Sequence, residues 1–407
     1  MPRPIVPHPT HFPRPVPLLP IFRLVDLTLA FAVLLGTLAV LALLQLAWGY
    51  LDIPSLRDAP PLRSVDGPRV SIIVAARNEQ RHIQAAVESL LAQSYSPLEL
   101  IVVDDRSDDD TPRILRDRAS TNPRLHVVRI DELPDGWLGK NNALQMGAAA
   151  ASGELLLFAD ADVVMDRDAV ARAVRLITVD GAHHLAIAPT IVLPTWPLAL
   201  VVNYFMMWFL LWLRPWRARN PRSSAFIGIG AFNLVRAETF GRVGGFSRIA
   251  MRPDDDIMLG KLLKQSGCRQ LLASADGLVN VEWYRTLREL ALGFRKNAFA
   301  GMNYSALRTA GAALGSVALC VWPFIAVWMT TGGERAWYAT AAIAQMIAYA
   351  GPAVAHRTRP WLALLYPLAA MIFVTILAAA VTRTLRRGGI EWRGTFYPLQ
   401  RLRANRV

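Results

Sequence analysis

The sequence predicts an α/β fold, a mostly parallel sheet covered by helices on both faces, joined to α-helical transmembrane segments. Three observations predict it. Strand and helix patterns alternate from residue 69 to residue 160, acidic clusters follow the strands, and long uncharged apolar runs lie on either side. Apolar residues make up 53% of the 407 and charged residues 18%. The apolar excess is gathered in blocks, as expected of membrane segments beside a folded domain.

Residues 1–23 hold many prolines, with Arg3 and Arg14, and read as a disordered or extended lead. Within 24–51, the run Leu27–Leu51 carries no charge over 25 residues, and about 20 suffice to cross a bilayer. It begins too late for a cleaved signal and has no evident small-residue cleavage site, so it reads as a retained anchor.

The region 69–305 reads as the folded domain. "RVSIIVA" (69–75), "LELIVVD" (98–104), "LHVVRI" (125–130) and "ELLLFA" (154–159) are expected strands. Between them, "RHIQAAVESLLAQ" (81–93) places Ile83, Ala86, Val87, Leu90 and Leu91 on one helix face. "TPRILRDRA" (111–119) is an expected helix with Thr111 as N-cap and proline at its first position. "KNNALQMGAAAA" (140–151) is a third. Such alternation builds a parallel sheet, and ligands then bind at the carboxyl ends of its strands.

The run 196–213, "WPLALVVNYFMMWFLLWL", is uncharged and long enough to span. A span there would place acidic clusters of one site on opposite sides of the membrane. Its tryptophans and the following Arg214, Arg217 and Arg219 favour a helix lying in the interface. In 306–382, three more runs (309–333, 336–355 and 360–382) are each long enough to cross, and the tail 383–407 carries seven arginines and one glutamate. One N-terminal and three C-terminal crossings would place both termini opposite the domain, and the arginines oppose that.

The net charge of +13, from 44 basic and 31 acidic residues, is best accounted for by attraction to anionic lipid. No basic run interleaved with aromatics lies in the domain, so no nucleic-acid partner is expected. Cys268 and Cys320 lie far apart without histidine partners, which gives neither a disulfide framework nor a zinc site.

Three acidic clusters carry the chemistry. In "VVDDRSDDD" (102–110) a turn and a helix cap account for the later acids, but Asp104 and Asp105 repel unless something offsets them. A carboxylate at a strand end can accept hydrogen bonds from ribose hydroxyls or a base edge. In "FADADV", Asp160 and Asp162 follow a buried strand. A turn explains them equally well in isolation, but such a pair can hold Mg²⁺ or Mn²⁺, with substrate phosphate completing the shell. In "RPDDDIMLGKLLKQ" (252–265), Asp254, Asp255 and Asp256 precede a helix. The helix dipole favours acids there. Three exceed what capping needs, and one facing a cleft could deprotonate a hydroxyl. Between the clusters, "DGWLGKNN" sets Lys140 at a helix start suited to an anionic ligand.

Together, "VSIIVAARNE", "IVVDDRSDDDT", "GWLGKNNAL", "LLLFADADV", "GIGAFNLVRAETFGRVGGF" and "DDDIMLGK" resemble, in order, the motifs of inverting family 2 glycosyltransferases with a GT-A fold. The resemblance covers roughly 69–305 and is strongest to membrane-bound, lipid-directed members: ceramide glucosyltransferase-like enzymes and bacterial hopanoid- and carotenoid-associated glycosyltransferases. It implies a nucleotide-diphospho-sugar donor, a lipid acceptor, a divalent metal and a membrane enzyme whose domain faces the cytosol. It implies that Ala76, Arg77, Asn78 and Glu79 contact the base, and that Asp105, beside Asp104, contacts uracil or ribose. Asp162 would hold the metal, with Asp160 assisting or binding ribose. Asp256 would be the general base, with Asp255 the alternative. Gly228 and Gly230 would let the backbone approach the acceptor closely.

One motif departs from the family pattern. Many relatives carry a Gln/Arg-x-x-Arg-Trp motif about 40 residues after the base; here "GFRKNAFAGMNYS" (293–305) stands instead. Arg295 and Lys296 there could neutralise the diphosphate, or contact lipid headgroups. The missing tryptophan weighs against a processive polysaccharide synthase. Retention of Asp162 and Asp256 weighs against a non-catalytic nucleotide-sugar-binding membrane protein.

Overall fold

The computed structural model describes residues 19–63 and 67–405. The expected disordered lead falls, up to residue 18, outside the described residues. In chain order the elements are α1 (Leu19–Asp52), β1 (Val70–Ala76), α2 (Ile83–Leu91), β2 (Leu98–Asp105), α3 (Thr111–Ala119), β3 (Leu125–Ile130) and α4 (Gly139–Ala150). They continue with β4 (Leu155–Asp160), β5 (Val163–Met165), α5 (Ala169–Val179), β6 (His184–Ala188), β7 (Thr190–Ile191), α6 (Trp196–Leu213), β8 (Asn233–Arg236) and α7 (Ala237–Arg242). The last are α8 (Asp255–Gln265), β9 (Gln270–Ser274), β10 (Val279–Val281), α9 (Leu287–Gly301), α10 (Ala306–Cys320), α11 (Trp322–Met329), α12 (Gly332–Ala355), α13 (Tyr366–Arg387), β11 (Gly389–Trp392), β12 (Thr395–Pro398) and α14 (Leu399–Ala404).

Seven strands form the central sheet in the order β3-β2-β1-β4-β8-β6-β9. β1 pairs in parallel with both β2 and β4, and β2 with β3. β8 runs antiparallel to β4 and β6, while β6 and β9 are parallel. All eight residues of β2 are buried, as are the apolar positions of β4 and, apart from the half-buried Ala75, those of β1. That is why these strands read as continuous Val/Ile/Leu runs rather than alternating ones. On one face α2 contributes Ile83, Ala86, Val87 and Leu90 to the core; on the other, Phe158 packs with Phe240 and Phe246. A small sheet, β5-β10-β7, follows directly on the β4 turn and carries the chain away from Asp162.

The first four sheet strands and the helices α3 and α4 begin and end within one residue of their sequence-based bounds, and α2 is two residues shorter at each end than 81–93. At α3 the capping differs. Asp110 is the N-cap residue, and the Asp109 carboxylate accepts from Thr111 N–H at 2.9 Å. The carboxylate one turn-residue earlier does what a threonine hydroxyl was expected to do.

Among the described residues four helical segments are long and apolar enough to cross a membrane: Leu27–Asp52, Trp196–Arg219, Ala306–Met329 and Pro360–Arg387; the expected run 336–355, in α12, is not one of them. α12 runs alongside α1 in the same direction. Thr28 donates to Glu334 at one end, Gly36 faces Trp337, and Gly351 faces Tyr50. α6 begins and ends in the α/β domain. It follows β7, buries Leu198 to Tyr204, and leads to Ala218, which packs with Ala186 and Leu272 of the sheet. Lys264 closes that end by donating to the carbonyls of Ala218 and Asn220 at 2.6 and 2.8 Å. α13 likewise touches the domain at both ends. Before it, His356 and Thr358 accept hydrogen bonds from Ile191 N–H and Asn203. After it, the β11–β12 hairpin and α14 bury Ile390, Tyr397, Leu399 and Leu402 in a cluster with Leu138, Met251 and Phe299. The basic tail is therefore folded onto the domain up to Asn405.

Candidate active site

The site lies at the carboxyl ends of β1, β2 and β4, where parallel pairing aligns them: Ala75 is opposite Asp160, and Ala76 opposite Asp104. The β1 loop is tied to the β2 loop by a lattice of hydrogen bonds. Asn78, left-handed at φ 56°, donates its N–H to Ser107 Oγ at 3.0 Å and accepts from Asp108 N–H through Oδ1 at 3.0 Å. Glu79 N–H donates to Thr111 Oγ1 at 2.8 Å. Asn78 is thus spent on shaping the loop, while Arg77 keeps a buried Nε without a hydrogen-bond partner among the described residues.

Asp104 and Asp105 are both nearly fully buried. Asp104 accepts from Arg129 at 2.8 Å and from Ser107 N–H at 3.2 Å. Asp105 is gripped by Arg106 at 2.8 and 3.1 Å, with Arg77 at 3.9 Å. The start of α4 presses on the same carboxylate: a Cβ at Gly139 would sit 2.2 Å from Asp105 Oδ2. Glycine is needed there for close approach.

The β4 end is compensated differently. Lys140 Nζ lies 2.8 Å from Asp160 Oδ1 and 3.2 Å from Asp255 Oδ2. Burial disfavours its ammonium, but Asp160, Asp255 and Asp256 outweigh that and raise its pKa. Lys140 was expected to face an anionic ligand. It is instead the strut between two carboxylates of distant sequence, because a partly buried lysine is held by the nearest opposite charges. Asp162 has no such partner. Its Oδ1 is buried without a hydrogen bond among the described residues. Burial, then Asp160 and Glu79, push its carboxyl up to about 7.

At α8, Arg252 clamps Asp254 at 2.8 and 2.6 Å, which removes Asp254 from the chemistry. Asn141 on α4 donates to the carbonyls of Ile249, Ala250 and Arg252 and so fixes the loop before α8. Asp256 accepts from Gly230 N–H at 2.7 Å and Ile257 N–H at 2.8 Å. Burial, then Asp255, raise it to about 7. Gly228 and Gly230 allow this packing. A Cβ at Gly228 would stand 1.8 Å from the Asp256 carbonyl oxygen, and one at Gly230 would stand 2.7 Å from Asp160 Oδ2. Their role toward the protein itself is therefore visible: they bring the β8 approach against α8 and β4.

Among the described residues no group of three or more His, Cys, Asp or Glu converges to hold a metal alone. The site nevertheless suits a divalent cation that takes its remaining oxygens from a ligand. Asp160, Asp162, Asp255 and Asp256 gather about Lys140, and the unpartnered Asp162 oxygen is where a cation would be held.

The structure brings together Ala76 to Glu79, Asp104, Asp105, Lys140, Asp160, Asp162, Asp255, Asp256, Gly228 and Gly230. Arg295 is set apart on α9, and the Lys296 side chain lies outside the described residues. Sequence reading missed several contributors. Arg106 was adjacent to the motif, while Arg129 is opposite Asp104 only through the β2–β3 register. Tyr284 raises its own pKa against Asp162 and Asp160 after burial. Arg393, at the hairpin turn, donates to the Arg77 carbonyl and reaches Glu79 at 2.5 Å. Nothing in an arginine-rich tail signals which arginine returns to the site.

A sheet of this topology, with carboxylates at its β2 and β4 ends and a third cluster on the facing helix, has the GT-A fold. Residues 71–243 match the family described as Glycosyl transferase family 2. The chain is 33% identical over 105 residues to 4,4'-diaponeurosporenoate glycosyltransferase of Staphylococcus haemolyticus, covering 26% of this chain and 27% of the relative. It is 36% identical over 124 residues to beta-monoglucosyldiacylglycerol synthase of Synechocystis, covering 29% and 26%. The chain thus spans about a quarter of the length of these two relatives. The mannosyltransferase PcManGT from Pyrobaculum calidifontis, solved with GDP-Man and Mn²⁺, shares the fold at TM-score 0.50 and 21% identity, over 88% of this chain and 99% of that one.

Proposed function

We propose that this protein transfers a sugar from a nucleotide-diphospho-sugar to a hydroxyl of a lipid or other membrane-associated acceptor, in one inverting step. The observation that carries this reading is the unpartnered Asp162 oxygen beside the Asp160–Lys140–Asp255 strut and Asp256, all at the sheet's carboxyl edge. The names of the relatives, a carotenoid-acid glycosyltransferase and a glucolipid synthase, support a lipid acceptor. The metal-bound mannosyltransferase neighbour shares only the fold.

In this reading the base sits against the β1 loop, Ala76 to Glu79, and Asp105 meets the base or ribose. Asp162, assisted by Asp160, holds Mg²⁺ or Mn²⁺, and a cation there offsets charge on the departing diphosphate. Lys140 is a positioning residue that holds Asp160 and Asp255 in place. Asp255, tied to Lys140, raises the proton affinity of its neighbour Asp256. Asp256 takes the proton of the acceptor hydroxyl. That oxygen forms its bond to the anomeric carbon as the bond to the diphosphate breaks, and nucleoside diphosphate leaves. Arg295 and Lys296 lie on the helix that would approach the diphosphate or the lipid surface. One base serves one displacement, so no carboxylate nucleophile is required.

For the membrane we propose three crossings, α1, α10–α11 and α12, the last less apolar than the others but packed along α1 from Thr28–Glu334 to Tyr50–Gly351, with α6 and α13 lying along the domain because both ends of each return to it. The tail arginines then share a side with the domain, the cytosolic one, in accord with the charge bias of membrane proteins. A reporter fused after Val407 should read on that side. The activity is tested by mass spectrometry of lipids from cells with and without the protein. A lipid gaining one sugar mass is expected, and an unchanged lipid profile would refute the reading.

A further inference from the structure

A well-formed cavity lies away from the carboxylates. It has a volume of about 450 Å³ and lies between α9, the last turns of α13 and the β11–β12 hairpin. Arg295, Arg383, Arg387 and Arg393 line it, with Leu292 and a single acid, Glu391. Arg387 is paired with Glu391 at 3.0 Å and Arg393 with Glu79 at 2.5 Å. Arg295 and Arg383 have no carboxylate partner among the described residues. Burial, then the charges of Arg383, Arg387 and Arg288, hold the Arg295 guanidinium below its ordinary value.

Three elements of distant sequence thus deliver like charges to one concave space. Without an anion the arrangement is self-repelling; with one, several guanidinium forks can close on its oxygens. The direction from which the anion comes is written on α13. Leu364 in the turn before α13, and Leu368 and Met371 on it, are exposed. Leu368 and Met371 lie one turn apart as an apolar stripe on a segment, Pro360–Arg387, that is apolar enough to cross a membrane and ends at Arg383 and Arg387. The cavity's own Leu292 is 43% exposed. An exposed apolar stripe of this kind belongs in lipid, and a basic pocket at its end is placed for a headgroup.

We propose that this cavity binds the phosphate of an anionic membrane lipid, whose acyl chains lie along the exposed face of α13. The cavity borders the donor site through Tyr284 and Arg393, and Arg383 and Arg387 are the lining arginines that the transfer reaction does not use. It gives the tail arginines a specific ligand instead of a general attraction to the bilayer.

The test uses the full chain purified in neutral detergent. The probes are dihexanoyl phosphatidic acid, dihexanoylglycerol, inorganic phosphate and inorganic diphosphate, read by native mass spectrometry and thermal shift. Saturable binding of the phosphatidic acid is expected, with none of dihexanoylglycerol. Arg383→Gln/Arg387→Gln should weaken it by about tenfold or more. Leu292→Trp, which fills the space without removing a charge, should weaken it too, while both variants keep the wild-type melting profile without lipid. Equal binding of dihexanoylglycerol would overturn the proposal, as would undiminished binding by both variants. Competition by inorganic phosphate or diphosphate as strong as the lipid's own binding would assign the cavity to a soluble ligand and overturn the lipid source.

Discussion

The ends of β2 and β4 carry the same feature, two carboxylates close together after a buried strand, and the protein completes them in opposite ways. At β2, Arg129, Arg106 and Arg77 surround Asp104 and Asp105 with guanidinium groups. At β4, Lys140 serves Asp160 and Asp255 together, while Asp162 keeps a buried oxygen without a hydrogen bond among the described residues. One pair is finished by the chain itself; the other is left open for charge brought by a ligand. A carboxylate pair in a sequence is therefore ambiguous until its partners are known.

The strongest test of the open end is Asp256→Asn. Transfer should fall about 10²- to 10⁴-fold, the usual worth of a positioned base, while nucleotide binding by calorimetry stays near wild type. The wild-type rate should rise with pH through about 7, where Asp256 loses its proton, and the residual rate of the variant should not follow that rise. A variant that transferred at near-normal rate would move the base elsewhere and break the comparison at its open side.

Asp162→Asn follows in size. Affinity for Mn²⁺ in the presence of nucleoside diphosphate should drop about 100-fold or more, since even changes behind a ligand cost 10- to 100-fold. A second readout does not involve activity. Above neutral pH the cation-free protein carries an ionised, underpaired Asp162, so the asparagine variant should melt higher than wild type without metal. It should also gain less from added Mn²⁺. If metal stabilised both proteins alike, Asp162 would not be its ligand.

Asp105→Asn probes the finished end. It leaves Arg106 and Arg77 without their carboxylate but opens no space for a cation. Affinity for a uridine nucleotide should weaken about tenfold, roughly 1.4 kcal/mol, with the Mn²⁺ dependence unchanged. A loss of metal dependence here would erase the distinction between the two ends.

Much of this was legible in the sequence because it was local. The four parallel strands announce themselves as buried apolar runs, and their acids lie at the carboxyl ends wherever a strand stops. What was not legible depends on pairing between remote segments. Antiparallel β8 inserts between β4 and β6, and its four residues carry no period that fixes direction. Lys140 follows a glycine at a helix start, as anion-binding lysines do, and only the placement of α8 shows that two carboxylates claim it. The tail reads as a solvated basic stretch, but Gly394 and a left-handed Arg393 at φ 47° make the tight hairpin turn that returns the arginine to Glu79.

The smallest effect lies behind the β4 end. His184 on β6 is fully buried, shares a hydrogen bond with Asn233 of β8 and accepts from Gln270 of β9 at 3.1 Å. Burial pushes its pKa down to about 4, so the folded protein keeps it neutral while the unfolded chain protonates it near its ordinary value of 6.5. Between those values the unfolded state binds the extra proton, and stability must fall as the pH drops. The stabilisation is present above about 6.5 and lost toward about 4. Asn233 pairs with Phe158, two residues before Asp160, so this neutral link props the open end with no charge of its own. His184→Gln should flatten the decline in melting temperature over that window by a few degrees, while leaving the rise of transfer near pH 7 in place. A variant that also shifted the activity profile would show that the open end draws its electrostatics from the sheet behind it as well as from the acids at its rim.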